Sequence, residues 1–236
     1  MRIPVFVQIV GVALFLIMVL YVGNRTLELN LEKKIKDMLP AEIKIVAVQR
    51  KEIENISPEE KKPYFKCGLP EPCPDNHLPF RVLTGAANIV GPKICLDDKI
   101  IMSSARNNVG RGFNIVIVDG VKGNVLEVHT SDVYNGEIAK LIAFLKTIKD
   151  GSIAIIASFD DASTNLNDEA RGLLADLGSK FIKDLGMRDN WVFIGGKGLN
   201  LKTSYERHIK SNKDTNKYEG WPELLELEGC IPLKLD

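Results

Sequence analysis

The sequence predicts an α+β fold, in which a largely antiparallel sheet is covered by helices. β-rich runs outnumber helical patterns along the chain. Residues 113–119 and 124–129 alternate around Gly120-Val121-Lys122-Gly123 and form the clearest hairpin. Residues 137–149 place apolar side chains on one helical face. Short strands joined by turns, with few helices between them, favour an antiparallel sheet with helices laid against it.

The N-terminal segment differs in character from the rest. Arg2 precedes residues 3–22, whose only strongly polar member is Gln8. This length suits a membrane-spanning helix and also a long secretory signal. Tyr21 and Gly23 supply only one of the two small residues that cleavage prefers. We therefore interpret residues 1–24 as a signal peptide or a retained signal-anchor, and either one directs the chain into the secretory pathway.

Residues 25–63 are rich in Lys and Glu, poor in aromatic residues and interrupted by three prolines. Such a composition is typical of a polar linker or stem. Asn24 and Asn55 each begin an N-glycosylation tripeptide. The globular domain is predicted to occupy residues 64–236, which is long enough for one buried core.

The four cysteines all lie in this domain: Cys67, Cys73, Cys95 and Cys230. In an oxidising compartment they predict two disulfides, and three pairings remain open. A zinc site at Cys67, Cys73 and His77 is disfavoured, because the gap between the cysteines is too wide and no second ligand pair follows. We expect no metal and no cofactor. The formal net charge of zero gives no field that would favour nucleic acid.

The remaining elements follow from periodicity and from helix-ending signals. Asn167 is expected to cap a helix that ends at Gly178, and Ser179 to cap a short third helix that ends at Gly186. Strands are predicted at residues 80–83, 94–102, 152–159 and 192–194, and a polar loop at residues 204–218.

Residues 187–198 organise the domain. Arg188 and Asp189 lead into the apolar run Val192-Phe193-Ile194, which stops at three glycines around a lysine. The run predicts a buried strand with the charged pair at the sheet rim, where binding groups collect. The alternative is that Arg188 and Asp189 form a structural pair.

A binding site can be assembled from groups at such rims. Arg111 lies between Gly110 and Gly112, Asp160 follows a strand, and Trp191 lies close to Arg188. Guanidinium donors, a carboxylate acceptor and an aromatic ring suit a neutral saccharide. The sequence has no Ser-His-Asp or metal-ligand motif, and adjacent Asp160 and Asp161 would face opposite sides of a strand. We therefore expect no enzymatic activity.

From residue 64 to the end, the chain closely resembles a secreted, cytokine-like family that includes the interleukin-like epithelial–mesenchymal transition inducer and pancreatic-derived factor. The resemblance rests on eight segments in order: Lys66-Cys67-Gly68, Thr84-Gly85-Ala86-Ala87-Asn88, Gly91-Pro92-Lys93-Ile94-Cys95, Asn107-Asn108-Val109-Gly110-Arg111-Gly112, Phe159-Asp160-Asp161, Leu166-Asn167-Asp168-Glu169, Arg188-Asp189-Asn190-Trp191-Val192-Phe193 and Asn216-Lys217-Tyr218-Glu219-Gly220-Trp221-Pro222. It implies a compact β-rich globule of two sheets with helices outside, and the disulfides Cys67–Cys95 and Cys73–Cys230.

The chain also resembles a related domain that forms the stem of the Golgi enzyme adding N-acetylglucosamine to O-linked mannose. That stem binds sugar through an Arg, an Asp and an Arg that correspond to Arg111, Asp160 and Arg188. Some members of the family carry an unpaired cysteine where this chain has Ile194. A covalent dimer through that position is therefore excluded.

Together these features predict a secreted, non-enzymatic, cytokine-like signalling protein that binds carbohydrate. Its partner would be a cell-surface receptor or glycan, and it would meet a membrane only through its N-terminal segment. Two alternatives are a Golgi-retained type II membrane protein with a lumenal lectin-like module, and a glycan-processing enzyme.

Overall fold

Two antiparallel β-sheets pack face to face, and two α-helices cover the outer face of the larger sheet. The computed structural model describes residues 18, 21, 23, 64–199 and 205–233. Pro63–Asp236 form one compact unit. Asn24, Asn55 and nearly all of the predicted N-terminal segment and linker lie outside the described residues. Within the described part, no helix is long and apolar enough to cross a bilayer.

The smaller sheet has the strand order β3-β2-β1-β9. Its strands are β1 (His77–Leu83), β2 (Lys93–Leu96), β3 (Lys99–Met102) and β9 (Glu226–Pro232). The single strand predicted at residues 94–102 is wrong, because Asp97 and Asp98 both have positive φ and turn the chain into a hairpin. β9 was not predicted, and it pairs with β1 over the whole of that strand.

The larger sheet has the order β5-β4-β6-β7-β8. It contains β4 (Gly112–Asp119), β5 (Val125–Ser131), β6 (Ser152–Phe159), β7 (Asn190–Gly196) and β8 (Tyr205–Ile209). The predicted hairpin is confirmed as β4–β5. The loop predicted at residues 204–218 is wrong over β8, a strand that its polar sequence hides because pairing with β7 stabilises it.

Among the described residues from 64 onward, the α-helices are α1 (Ile138–Thr147) and α2 (Asp168–Asp176). Asn167 caps α2 as predicted, because its Oδ1 accepts a hydrogen bond of 2.9 Å from the Ala170 N–H. Ser179 Oγ likewise accepts from the Ile182 N–H. The predicted third helix, however, is only a 3₁₀ turn (Ile182–Asp184).

β4, β6 and β7 are buried on both faces, so the core has two layers. One layer lies between the sheets and includes Phe80, Val116, Ile155 and Ile194. The other lies between the larger sheet and the helices and includes Phe113, Leu141 and Trp191. This arrangement confirms the α+β globule of two mainly antiparallel sheets with flanking helices.

Both disulfides implied by the family resemblance are present. Cys67 bonds to Cys95, and Cys73 bonds to Cys230 across 157 residues of sequence. The second bond ties the loop before β1 to β9, so the two ends of the domain are linked covalently. Within the described residues no cysteine is free.

Candidate functional site

One end of the larger sheet gathers the polar residues that the sequence singled out. Gly112 of β4 pairs with Phe159 of β6, so Arg111 and Asp160 leave the sheet at the same end. β7 runs antiparallel to β6 and begins at this end, where Arg188 precedes it. The tertiary structure therefore brings Arg111, Asp160 and Arg188 to one rim.

Trp221 completes this cluster. The guanidinium carbon of Arg188 lies 4.1 Å from the centre of the Trp221 ring. The indole Nε1 of Trp221 donates a hydrogen bond of 3.2 Å to Asp160 Oδ1. A Cβ at Gly220 would lie 2.7 Å from Arg188 Nη1, so glycine leaves room for the guanidinium. Trp221 is half-buried; the face of its ring contacts Arg188, and its Nε1 edge contacts Asp160.

Two polar groups of the cluster have unused hydrogen-bonding capacity among the described residues. Arg188 is half-buried, and among the described residues its guanidinium has no hydrogen-bond acceptor or carboxylate partner. Asp160 Oδ2 accepts no hydrogen bond from residues 64–199 and 205–233. A guanidinium presents five donors in a fixed fork, and a carboxylate oxygen is an acceptor. These groups are thus free to bind a ligand.

Asp160 and Arg188 both have left-handed backbone conformations, with φ of 59° and 61°. Such values are uncommon outside glycine and carry strain, which tends to concentrate at functional sites. The neighbouring Asp161 is buried and accepts hydrogen bonds from the N–H groups of Ser163 and Thr164. Asp161 therefore fixes the turn, and Asp160 is left to face outward.

Arg111 is held by its own partners. Its Nη2 lies 3.0 Å from Asp132 Oδ2, and its guanidinium carbon lies 4.7 Å from the centre of the Tyr134 ring. The hydrogen bond to Asp132 raises the pKa of Arg111, and the charge of Asp160 acts in the same direction. Burial raises the pKa of Asp132, but hydrogen bonds from Arg111 and from two backbone N–H groups lower it further, so the net shift is downward. The guanidinium is therefore oriented as well as charged.

Gly112 and Asn114 shape the turn that carries Arg111. Gly112 has φ of +89°, and a Cβ there would lie 2.2 Å from the Ser131 carbonyl oxygen. The buried Asn114 side chain accepts from the Gly110 N–H at 2.8 Å and donates to the Gly110 carbonyl at 2.7 Å. Gly112 thus allows the backbone of this turn to approach the backbone after β5 closely.

Trp191 does not belong to this surface, and its prediction as a carbohydrate-binding residue is wrong. Its side chain is 0% exposed and packs between Phe113 and Phe193. Its Nε1 donates to Glu206 Oε1 at 2.8 Å. β7 is an inner strand that is buried on both faces, so the side chain of its second residue, Trp191, lies in the core. The tryptophan of this surface is Trp221, which is 61 residues from Asp160 in the sequence and therefore has no local signal that links the two.

Arg188 and Asp189 do not form the structural pair considered as an alternative. Arg188 lies on Trp221, whereas Asp189 is buried and accepts 2.7 Å bonds from His208 Nε2 and the Ser211 N–H. Asn190 Nδ2 donates to the Glu223 carbonyl at 2.6 Å, which anchors the segment that follows Trp221. Asp189 and Asn190 therefore position the loops on which Arg188 and Trp221 lie.

The Asp189–His208 contact predicts acid sensitivity. Burial raises the pKa of Asp189, but hydrogen bonds from His208, Ser211 and Gly186 outweigh it, and the net pKa is lowered. A lowered pKa stabilises the folded state above the unfolded-state pKa, and this stabilisation is lost as pH falls through the folded-state pKa. Asp189→Asn should reduce the thermal midpoint at neutral pH and flatten its decline between about pH 5 and pH 2. Asp150→Asn, at an exposed aspartate, is the control. If the thermal midpoint of Asp189→Asn fell with decreasing pH as steeply as that of the native protein, Asp189 would not be the source of the acid sensitivity.

The chemistry available at the rim is recognition of polar groups. Within the described residues, no three His, Cys, Asp or Glu side chains are grouped to hold a metal ion. Guanidinium donors, one free carboxylate oxygen and an indole ring are the groups that bind neighbouring hydroxyls or an amide.

The fold is a disulfide-linked sandwich of two antiparallel sheets with helices outside, the class of β-rich globule that the resemblance to the cytokine-like family implies. A family profile described as interleukin-like EMT inducer matches residues 111–199. Human protein FAM3C is 47% identical over 228 residues, covering 97% of this chain and 96% of its own length. FAM3C of Danio rerio is 55% identical over 171 residues (72% and 75%), and FAM3A of Mus musculus is 51% identical over 178 residues (75% and 77%). The chain belongs to the interleukin-like EMT inducer family.

Proposed function

We propose that this cytokine-like protein is secreted and acts by binding a neutral saccharide on a cell-surface receptor, which it leaves chemically unaltered. The observation that carries the proposal is the cluster of Arg188, Trp221 and Asp160. Among the described residues, the Arg188 guanidinium has no hydrogen-bond acceptor or carboxylate partner, and Asp160 Oδ2 accepts no hydrogen bond. The oriented Arg111 lies at the same rim.

The match between site and ligand is chemical. Vicinal hydroxyls donate to a carboxylate and accept from a guanidinium, and an N-acetyl group accepts from N–H donors. The indole offers an apolar surface to the carbon-bound hydrogens of a sugar ring. The site is shallow, so a single sugar should bind with about −4 kcal/mol, a millimolar dissociation constant. Useful affinity would then require several sugars or additional protein contacts.

Additional contacts are available beside the site. In the loop after β1, the Gly85 N–H donates a hydrogen bond to the Ser158 carbonyl, two residues before Asp160. The tip of this loop displays Ile89, whose side chain is 79% exposed, and Val90. Met187, next to Arg188, is also exposed. Apolar groups around a polar centre suit a polypeptide that carries the glycan.

Secretion is supported by the two disulfides, which persist in oxidising compartments, and by the predicted N-terminal segment. Its test is the recovery of protein from culture medium with an N-terminus beyond residue 23. Retention of the intact chain in Golgi membranes would contradict secretion.

Binding of β-linked N-acetylglucosamine should be lost in Arg188→Gly, with little change in the thermal midpoint. Glycine adopts the left-handed backbone of Arg188 without strain, which offsets the loss of about 0.5–1 kcal/mol from the cation–π contact. Binding is measured on a glycan array and by calorimetry. Lys122→Ala, which removes one positive charge in the turn between β4 and β5, should bind as the native protein does.

Unfolding or failed secretion of Arg188→Gly would show that Arg188 is structural, and binding that survives in a folded Arg188→Gly would remove it from the site. Asp160→Asn separates binding from catalysis. It should weaken binding, and a panel of glycans incubated with the native protein should be recovered unchanged. Turnover that disappears in Asp160→Asn would instead identify an enzyme.

A further inference from the structure

The free edge of β5 differs from two other sheet edges of the fold. At β3, Asn108 Nδ2 donates to the Ile101 carbonyl at 2.8 Å. At β9, Tyr205 Oη and Arg207 Nη1 donate to the carbonyls of Cys230 and Glu226 at 2.7 and 3.0 Å. Side chains thus donate hydrogen bonds to backbone carbonyls at both edges. In the described part of the chain, β5 receives no such bond along its outer edge.

β5 exposes three apolar side chains beside the polar Glu127 and Thr130. It has seven residues, and Val125, Leu126 and Val128 are 37%, 57% and 39% exposed. β8, at the opposite edge of the same sheet, has five residues and exposes Arg207 at its centre. Charged and short edges resist pairing with another strand, whereas long apolar edges invite it. β5 is therefore the edge of this sheet best suited to accept a further strand.

The sequence of β5 is self-complementary in one register. In a symmetric dimer that extends the sheet, the two-fold axis is perpendicular to the sheet, and residues directly opposite each other lie on the same face. The axis of an antiparallel β5 pair must therefore pass beside a residue that is paired with its own copy. Centring on Val128 places Glu127 of each copy opposite His129 of the other, and Val128 opposite itself. Centring on Glu127 would place two carboxylates opposite each other, and like charges directly opposite in a strand pair are destabilising.

The packing of β5 fits this register. A bulge opposite Ile117 and Val118 makes Leu126 the extra residue, so Glu127–Ser131 is the regular part of the strand. His129 is held in place by stacking on Phe144 of α1, with ring centres 3.9 Å apart. The central pairs of the register therefore lie in regular, fixed strand. Only a few residues pair, so the association should be weak.

We propose that the protein forms a non-covalent dimer by antiparallel pairing of β5 with β5 of a second copy, centred on Val128. The dimer joins the two larger sheets into one continuous sheet. The rim of Arg111, Asp160 and Arg188 lies beyond the last residue of β5, at the end of the sheet and not along the paired edge. Two sites on one particle would raise the affinity for a multivalent glycan. The pairing itself does not depend on the proposed carbohydrate binding.

The test is sedimentation of the secreted protein over a range of concentrations. The native protein should be in monomer–dimer equilibrium, and Val128→Lys should be monomeric, because it places two ammonium groups opposite each other. Val121→Lys makes the same change at an exposed valine in the neighbouring turn, outside the paired segment, and should dimerise normally. Val128→Cys should form a disulfide-linked dimer across the axis, and Val121→Cys should not.

A native protein that stays monomeric at every concentration overturns the proposal, and so does a dimer that persists in Val128→Lys. Hydrogen exchange adds a further criterion. The β5 amides on the outer edge, which do not bond to β4, should become protected as the concentration rises. If they are already protected in a monomeric sample, another part of the same chain covers this edge and the proposal fails.

Discussion

Loss of the Cys73–Cys230 disulfide should lower the free energy of unfolding by about 5 kcal/mol. In the chain-entropy model, the cost grows with the length of the closed loop, here 157 residues of sequence. A domain of this size is stable by about 5–15 kcal/mol, so Cys73→Ser/Cys230→Ser should lose from about a third to all of its stability. Urea unfolding under oxidising conditions gives the measurement.

The second disulfide provides the matched comparison. Cys67→Ser/Cys95→Ser opens a loop of 28 residues and should cost less, about 3.5 kcal/mol in the same model. The expected result is that loss of Cys73–Cys230 lowers the free energy of unfolding more than loss of Cys67–Cys95. Where a double variant does not accumulate in the medium, unfolding of the native protein with and without reductant gives the combined loss. Equal unfolding midpoints in both conditions would contradict a structural role for either bond.

The two tryptophans should respond to substitution in opposite ways. Trp191→Ala removes a fully buried ring from the core under the helices, at an expected cost of about 3–5 kcal/mol. It also removes one donor from Glu206, a buried carboxylate that accepts from Ser179, Lys180, Phe181 and Trp191. Trp221→Ala should instead cost little stability and abolish saccharide binding. Urea unfolding and calorimetry of both variants separate these effects.

The chain has only these two tryptophans, so fluorescence assigns each role directly. Trp191→Phe leaves Trp221 as the only indole, and its emission should change when saccharide is added. Trp221→Phe leaves the buried Trp191, whose emission should not respond. A saccharide response that survives in Trp221→Phe would place the binding site elsewhere.

Elements with strong local signals were predictable. The β4–β5 hairpin, α1, the Asn167 cap of α2 and the buried strands β6 and β7 all appear as expected. β8 and β9 were missed, because Tyr205–Ile209 is polar and Glu226–Pro232 contains a glycine and ends in proline. Both strands are stabilised by partners distant in sequence, β9 by β1 and β8 by β7.

The sequence by itself determined the α+β class, the oxidised cysteines and the placing of Arg111, Asp160 and Arg188 at strand ends, because these depend on local periodicity and on residue chemistry. Only the tertiary structure decided which groups meet. In the folded domain Trp191 is buried, and Trp221 contacts both Asp160 and Arg188. The side chains of Arg188 and Asp189 have different partners, Trp221 and His208. The physical reason is that strand pairing joins segments far apart in the chain, and the environment of a side chain depends on that pairing.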